Sequence, residues 1–477
     1  MHLRSKGFTT IGIALATATL ATPAIGQMVY GRIYSQTPKT HLEQLEDPWL
    51  PGLGLSGPAF VHTAGGITIR QVNVNSQGNN IVGDAANEPS IAIDPTNPQR
   101  MIIGWRQFDT ISSNFRQAGR AYTANGGVSW TNPGVLTPGV FRSDPVMGSD
   151  YTGKFYYLSL KDTFYCDIFV STNGGVTFTG PIAAVGGDKQ WMTIDNTGSS
   201  GKGFLYQAWS TAGNNYGGRQ FSRSTNGGTT WMNPIFITNS PIWGTLTVGP
   251  NGELYVCGTA DAGSSTYYFV RSSNAKNSSQ TPTWDLVRTV NLGGANLWAI
   301  TPNPGGLGGQ VWIRCDRSNG PRKGWLYMLC TVNPSGNDPA DCMFVRSTDG
   351  GNTWSTPKRI NDDPTNSNAY QWFGTMDVAP TGRIDVVWND SRGLSSTQAK
   401  LYYSCSYDGG TTWTPNVAIT PAFNSTIGWP NQNKIGDYYD MVSDAKGANV
   451  AFSATFNGEQ DVYFVHIPAP PQKIGPG

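Results

Sequence analysis

The stretch Ser347-Thr348-Asp349-Gly350-Gly351-Asn352-Thr353-Trp354 constrains the fold more than any other, because it recurs along most of the chain. It returns as Ser406 to Trp413, and with Asn in place of Asp as Ser224 to Trp231, Ser171 to Phe178 and Thr123 to Trp130. A stretched copy opens at Ser272-Ser273-Asn274 and closes at Thr283-Trp284 after an insertion. Each place in the pattern Ser/Thr-x-Asp/Asn-Gly-Gly-x-Thr/Ser-Trp/Phe has a physical reading. The Asp or Asn side chain accepts hydrogen bonds from backbone N–H groups of the turn that follows it. The glycine pair supplies positive φ where a side chain would clash. The closing aromatic is a large apolar anchor, expected to be buried under the turn. Each copy therefore reads as a hairpin tip whose inward residues pack into a sheet.

The copies start about 48 to 59 residues apart, with one interval of about 75, within the periods of propeller blades. The pattern resembles the Asp-box, or bacterial neuraminidase repeat, of the sialidase-like β-propellers. Around each copy the same order returns: a short apolar strand, a polar turn, a second strand ending in an aromatic, a third strand into the box and a fourth out of it. Inner strands are read near Ser90, Pro145, Trp191, Gly244, Val311, Met376 and Asp440. The expected fold is all-β, a seven-bladed propeller of four-stranded antiparallel blades. Six blades is the alternative, because the long interval before Val311 is the least regular. The last unit has Val450 to Ala454 and Asp461 to Val465 as partners, but no box and no fourth strand. The alternating run Ile67 to Val74 is expected to supply that strand, closing the ring and removing its open edges.

A net charge of +1 without a Lys/Arg run argues against nucleic acid or an anionic membrane as the main partner. Arg4 and Lys6, the apolar run Ile11 to Leu20 and the small residues Ala24-Ile25-Gly26 read as a signal peptide over residues 1–26. That run is well short of the roughly 18–20 residues that span a bilayer. The expected location is extracellular, periplasmic or at the cell surface. Residues 27–65 read as an extended arm, 66–468 as the propeller and 469–477 as a Pro/Gly-rich tail. The six cysteines form no CxxC pattern. Cys330 and Cys342 flank one loop and are a candidate disulfide, and the others read as small buried residues. Four dispersed His residues argue against a His-based zinc site.

In a propeller, the loops entering the inner strands and those joining second to third strands gather around one end of the central channel. Those loops carry Glu88, Arg142, Asp144, Asp188, Lys189, Tyr370-Gln371-Trp372, Asp437-Tyr438-Tyr439, Arg106, Lys161, Asp162, Asp261, Asn389, Asp390 and Arg392. Such a convergence of titratable groups is a default site. The catalytic candidates are Asp144, Asp188 and Asp437 as acids and Tyr438 as a nucleophile. The substrate-binding candidates are Glu88, Arg106, Trp191, Trp372, Asp390 and Arg392. Each has a plainer reading. The acids bond neighbouring loops, Arg106 and Arg392 pair with Glu88 and Asp390, and the aromatics fill space between blades. No cofactor and no metal ligand set is expected, although a ring of channel carboxylates is a candidate seat for a structural cation.

Sialidases of the resembled family are six-bladed and use three Arg on the substrate carboxylate, a Tyr–Glu nucleophile pair and an Asp acid/base, a departure from the two-carboxylate scheme. Their first blade carries an Arg-Ile-Pro motif. The comparable place here reads Asn87-Glu88-Pro89-Ser90. Other Asp-box propellers cleave polysaccharides by hydrolysis or elimination, and others only bind. The resemblance therefore implies a secreted propeller that binds an extracellular glycan or polysaccharide, and in its stronger form cleaves an anionic sugar. A non-catalytic scaffold with protein partners is the alternative. A lyase with Tyr438 or Lys189 as base is a third reading. Enzymatic activity stays open at this stage.

Overall fold

The structure, a computed structural model, describes residues 55–472. Seven short strands run side by side around a central axis: Ala85–Ile93, Arg142–Ser149, Trp191–Ile194, Leu246–Val248, Trp312–Cys315, Gln371–Val378 and Asp440–Ser443. Each contacts the next, and the last contacts the first. Each is the innermost strand of an antiparallel sheet, so the ring has seven blades. The second, fourth, fifth and sixth blades have four regular strands. In the first and third blades the outermost strand is reduced to bridges, Ala118↔Leu136 with Tyr122↔Thr131, and Phe221↔Ile235. The long interval before Val311 holds an inserted strand, Gly294–Asn296, and a hairpin, Trp298–Ile300 with Asn303–Leu307, rather than a missing blade.

Closure follows the expected route. In the seventh blade Asp440–Ser443, Gly447–Ala454 and Asp461–Pro468 are joined by Ile67–Gln71, antiparallel to the last of them with Ile69 opposite Val465. Val72 N–H donates to the Val462 carbonyl (2.8 Å), and Asn73 Nδ2 donates to Asp461 Oδ1 (2.6 Å). The C-terminal end of the expected arm over 27–65 is paired as strands. Val61–Ala64 adds a fifth strand outside Ile67–Gln71, and Leu55–Gly57 pairs with Asn80–Val82. The alternation there is too short to read as strand from sequence. The expected signal peptide, the rest of the arm and the end of the tail lie outside the described residues.

The repeated turn is built as its chemistry requires, with one correction. Ser347 Oγ donates to Asp349 Oδ1 (2.8 Å) and accepts from Gly351 N–H (2.8 Å), while Asp349 accepts from Thr353 N–H (3.0 Å) and its hydroxyl (2.7 Å). The serine and backbone bonds recur at Ser406, Ser224 and Ser171, but in the last two copies the Asn amide donates to the Thr hydroxyl (2.8 Å) instead of accepting from it. The closing aromatic, however, packs across onto the preceding blade rather than under its own turn. Trp354 meets Phe269, Trp413 meets Phe344 and Trp130 meets Phe464 at 5.2 Å between centroids, and Trp284 meets Phe221 at 5.1 Å. A Cβ on Gly351 or Gly410 would lie 2.2 Å from the Phe269 or Phe344 ring, so the second glycine is needed for close approach as well as for φ. Such aromatic pairs, three of the four edge-to-face, add about 0.5–1.5 kcal/mol each beyond the area they bury.

All six cysteines are buried and free. Cys330 and Cys342 sit on paired strands one register step apart, Cys330 opposite Met343 and Cys342 opposite Thr331. Because side chains alternate faces, the two thiols enter different cores, and the candidate disulfide does not form.

Ring closure through Ile69, 1% exposed, sets a test. Ile69→Ala should cost about 2–5 kcal/mol in urea unfolding. Val61→Ala, on the outer strand and 55% exposed, should stay within about 0.5 kcal/mol. Equal effects would mean that the early strand does not hold the ring.

Candidate functional site

One backbone device positions the charged residues at the loop end of the channel. Where the chain enters an inner strand it bulges, and a non-glycine residue takes positive φ: Glu88 (50°), Asp144 (46°), Lys189 (56°), Trp243 (55°) and Phe373 (57°). The ladder slips at the same places, between Asn87 and Ser90, Ser143 and Val146, and Trp372 and Thr375. Such conformations cost about 1–3 kcal/mol each and persist only where surrounding contacts over-determine them. A bulge re-aims a side chain, and in the first three blades the residue it re-aims is charged.

These side chains form one network across the axis. Arg106 Nε lies 3.2 Å from Glu88 Oε2, and Lys434 Nζ lies 3.5 Å from Glu88 Oε1 and 2.8 Å from Asp437 Oδ2. Lys189, from the third blade, reaches Asp437 Oδ2 of the seventh at 2.5 Å and lies 3.9 Å from Asp144. Those blades are not neighbours, so this contact plugs the channel. Glu88, Arg106, Asp144, Asp188 and Asp437 are all fully buried, and Lys189 and Lys434 nearly so. Burial pushes the Glu88 carboxyl up to about 8, outweighing the attraction of Arg106 and Lys434.

The inserted hairpin closes this network from outside. Leu307 N–H donates to Asp437 Oδ1 (2.9 Å), and Asn303 both donates to the Gly436 carbonyl and accepts from Ile435 N–H (2.9 Å each). A Cβ on Gly306 would lie 2.6 Å from Asp437 Oδ1, so only glycine lets the hairpin settle there. Trp298 stacks on Trp243 (5.8 Å) to hold its outer end. Sequence reasoning missed this cap and missed Lys434. The signals were Pro304-Gly305-Gly306 in the irregular interval and a lysine three residues before Asp437.

The other candidates separate. Tyr438 is buried below the charged layer, donates to the Pro145 carbonyl (3.1 Å) and meets Trp191 edge-on at 5.2 Å. Burial, reinforced by the Glu88 and Asp144 carboxylates, raises its phenol well above the ordinary value, so it stays protonated. Trp191 also meets Trp312 at 5.2 Å, and these three rings form an aromatic floor beneath the plug. Trp372 is wholly buried in a separate core with Phe373 and Tyr439. Asp390 and Arg392 pair with each other (2.7 Å), and Arg392 further bonds Asp362 (2.5 Å) and lies over the Tyr402 ring (4.6 Å). Arg106 and Arg392 are thus engaged as the plainer reading has it. Among the described residues, no group of three or more His, Cys, Asp or Glu is placed to hold a metal ion.

Beyond the aromatic floor the channel opens at its opposite end. A cavity of about 180 Å³ lies there, with residues from all seven inner strands around it, among them Thr193, Thr247, Arg314, Arg317, Asp377 and Asp440.

No family model and no curated protein matches the chain. Similar solved structures include a protein of unknown function from Dyadobacter fermentans, 13% identical over 84% of this chain and 99% of that one, with TM-score 0.45. A polysaccharide lyase of the ulvan-lyase type, bound to a glucuronate–sulfated-rhamnose unit, is 12% identical over 81% of this chain and 94% of that one, with TM-score 0.47. The NanB sialidase of Streptococcus pneumoniae is 11% identical over 83% of this chain and 70% of that one, with TM-score 0.42. The likeness is one of fold.

The raised Glu88 carboxyl fixes the sign of a pH effect. The folded chain holds that proton more tightly than the unfolded chain, whose ordinary value is 4.5, so this group's contribution to stability falls as pH rises from about 4.5 to about 8 and is flat above. Glu88→Gln should remove that part of the slope in unfolding free energies measured across the window. Parallel curves for variant and wild type would show that Glu88 ionises normally.

Proposed function

We propose that this is an exported binding propeller that recognises an extracellular glycan or polysaccharide without turning it over. One observation carries the negative half. Every candidate acid at the loop end is buried, and the cations that a bound anionic sugar would have to use are already engaged with those acids beneath the cap. A general acid must come within hydrogen-bond reach of its substrate. Here the Asn303–Leu307 strand, bonded to Asp437, occupies that approach. The glycan half rests on the Asp-box resemblance, and export on the signal-like residues 1–26.

A second reading is favoured by one specific feature. Burial pushes the Glu88 carboxyl up to about 8, and a carboxyl raised into that range is what a general acid at neutral pH requires. Hydrolysis by this group would need the cap to lift. The two readings separate on a panel of sialosides, uronic-acid polysaccharides and neutral glycans, assayed for both binding and product. The expected result is binding with no product from wild type, Asp188→Ala or Arg106→Ala. Product formation by wild type that either variant abolishes would establish the enzyme instead. Absence of any glycan binding would shift the partner to protein.

A further inference from the structure

The open end of the channel has an excess of unused hydrogen-bond donors. Arg314 lies half-buried over the Trp312 ring (4.6 Å), with its Nε on Asp377 Oδ1 (2.9 Å) and one terminal nitrogen on the Ile313 carbonyl (3.1 Å). Among the described residues, its second terminal nitrogen has no partner, and the exposed guanidinium of Arg317 has none at all. The hydroxyls of Thr193 and Thr247, on the facing strands, likewise make no hydrogen bond to the described residues. Each carboxylate oxygen of Asp377 and Asp440 at this mouth already accepts at least one hydrogen bond. Asp377 Oδ2 accepts from Ser443 N–H (2.7 Å). Asp440 accepts from the Ser90 hydroxyl (2.6 Å), Ile91 N–H (3.1 Å) and Met441 N–H (2.9 Å). The inner wall is apolar, made by Met147, Met192 and Trp191.

We propose that this mouth is a binding site for a single oxyanion group, a carboxylate or a sulfate, held by Arg314, Arg317, Thr193 and Thr247. Guanidinium donors favour planar or tetrahedral oxyanions through paired N–H bonds. The cavity, about 180 Å³, lies below the usual range for whole ligands. It therefore takes the charged group and first atoms of a ligand, not an oligosaccharide. The site is argued from its own donors, so it stands or falls independently of the glycan reading.

Titration calorimetry of the full chain at low ionic strength, with sodium sulfate and separately with sodium galacturonate, tests it, with sodium chloride as control. Binding of either oxyanion but not chloride is expected, weakened about tenfold by Arg317→Ala, as loss of one charge-assisted donor implies. Arg317 is exposed, so the variant should melt as wild type does. Thr247→Val, which keeps shape and removes one donor, should weaken binding several-fold. Sulfate alone binding would identify a sulfate source, and galacturonate alone a uronate one. No binding, chloride binding equally well, or affinity unchanged in both variants would overturn the site.

Discussion

The wedging of the box tryptophans Trp130, Trp284, Trp354 and Trp413 against the blade before each is the contact on which the ring depends. A blade alone is a small sheet with two apolar faces, and it needs neighbours on both. The Trp354–Phe269 and Trp413–Phe344 pairs supply that contact at the rim, where blades diverge and the gap is widest. The turn's internal hydrogen bonds do not face the neighbour. They fix the turn so that the aromatic and the second glycine arrive at the right place. Arginines extend the same logic, since Arg346 donates to the Gly409 carbonyl of the next box (2.9 Å). The repeat is therefore an inter-blade joint as much as a turn.

That accounts for how well the architecture could be read. All seven inner strands lie where the sequence places them, and the early alternating run closes the last blade, because both readings rest on local periodicity and on a turn whose residues are dictated by φ and hydrogen bonding. What could not be read depends on meetings across the axis. Lys434 looks like an ordinary loop lysine until Asp437 and Glu88 are brought to it, and Asn303–Leu307 looks like an irregular linker until it is laid over Gly436. The cysteines show the same limit: adjacency of Cys330 and Cys342 was legible, but a register offset of one residue was not.

The candidate site was legible as a list and only partly as a place. Glu88, Arg106, Asp144 and Asp437 do converge, whereas Asp390 pairs with Arg392 at the sixth blade and Trp372 packs in the core shared by the sixth and seventh blades. A polar ring at a channel mouth is usually pictured as open to solvent. Here Lys189, Lys434 and Asp437 each have an opposite partner and a hydrogen bond, which makes these otherwise costly buried ions tolerable, whereas neither Glu88 oxygen accepts a hydrogen bond from the described residues. The channel is thus divided into a charged plug, an aromatic floor and a solvent-facing mouth with donors to spare.

The joining of Ile67–Gln71 to Asp461–Pro468 has a consequence for how the chain is made. The bond from Asn73 to Asp461 spans 388 residues, so its first half leaves the ribosome long before its second. At about 5–20 residues per second the wait is about 20–80 s. Through that interval the nascent molecule is an open arc with a raw strand edge at its front, the kind of edge that pairs with other chains. Ring closure has to wait until Asp461–Pro468 has emerged, and until then the Ile67–Gln71 edge stands without its partner.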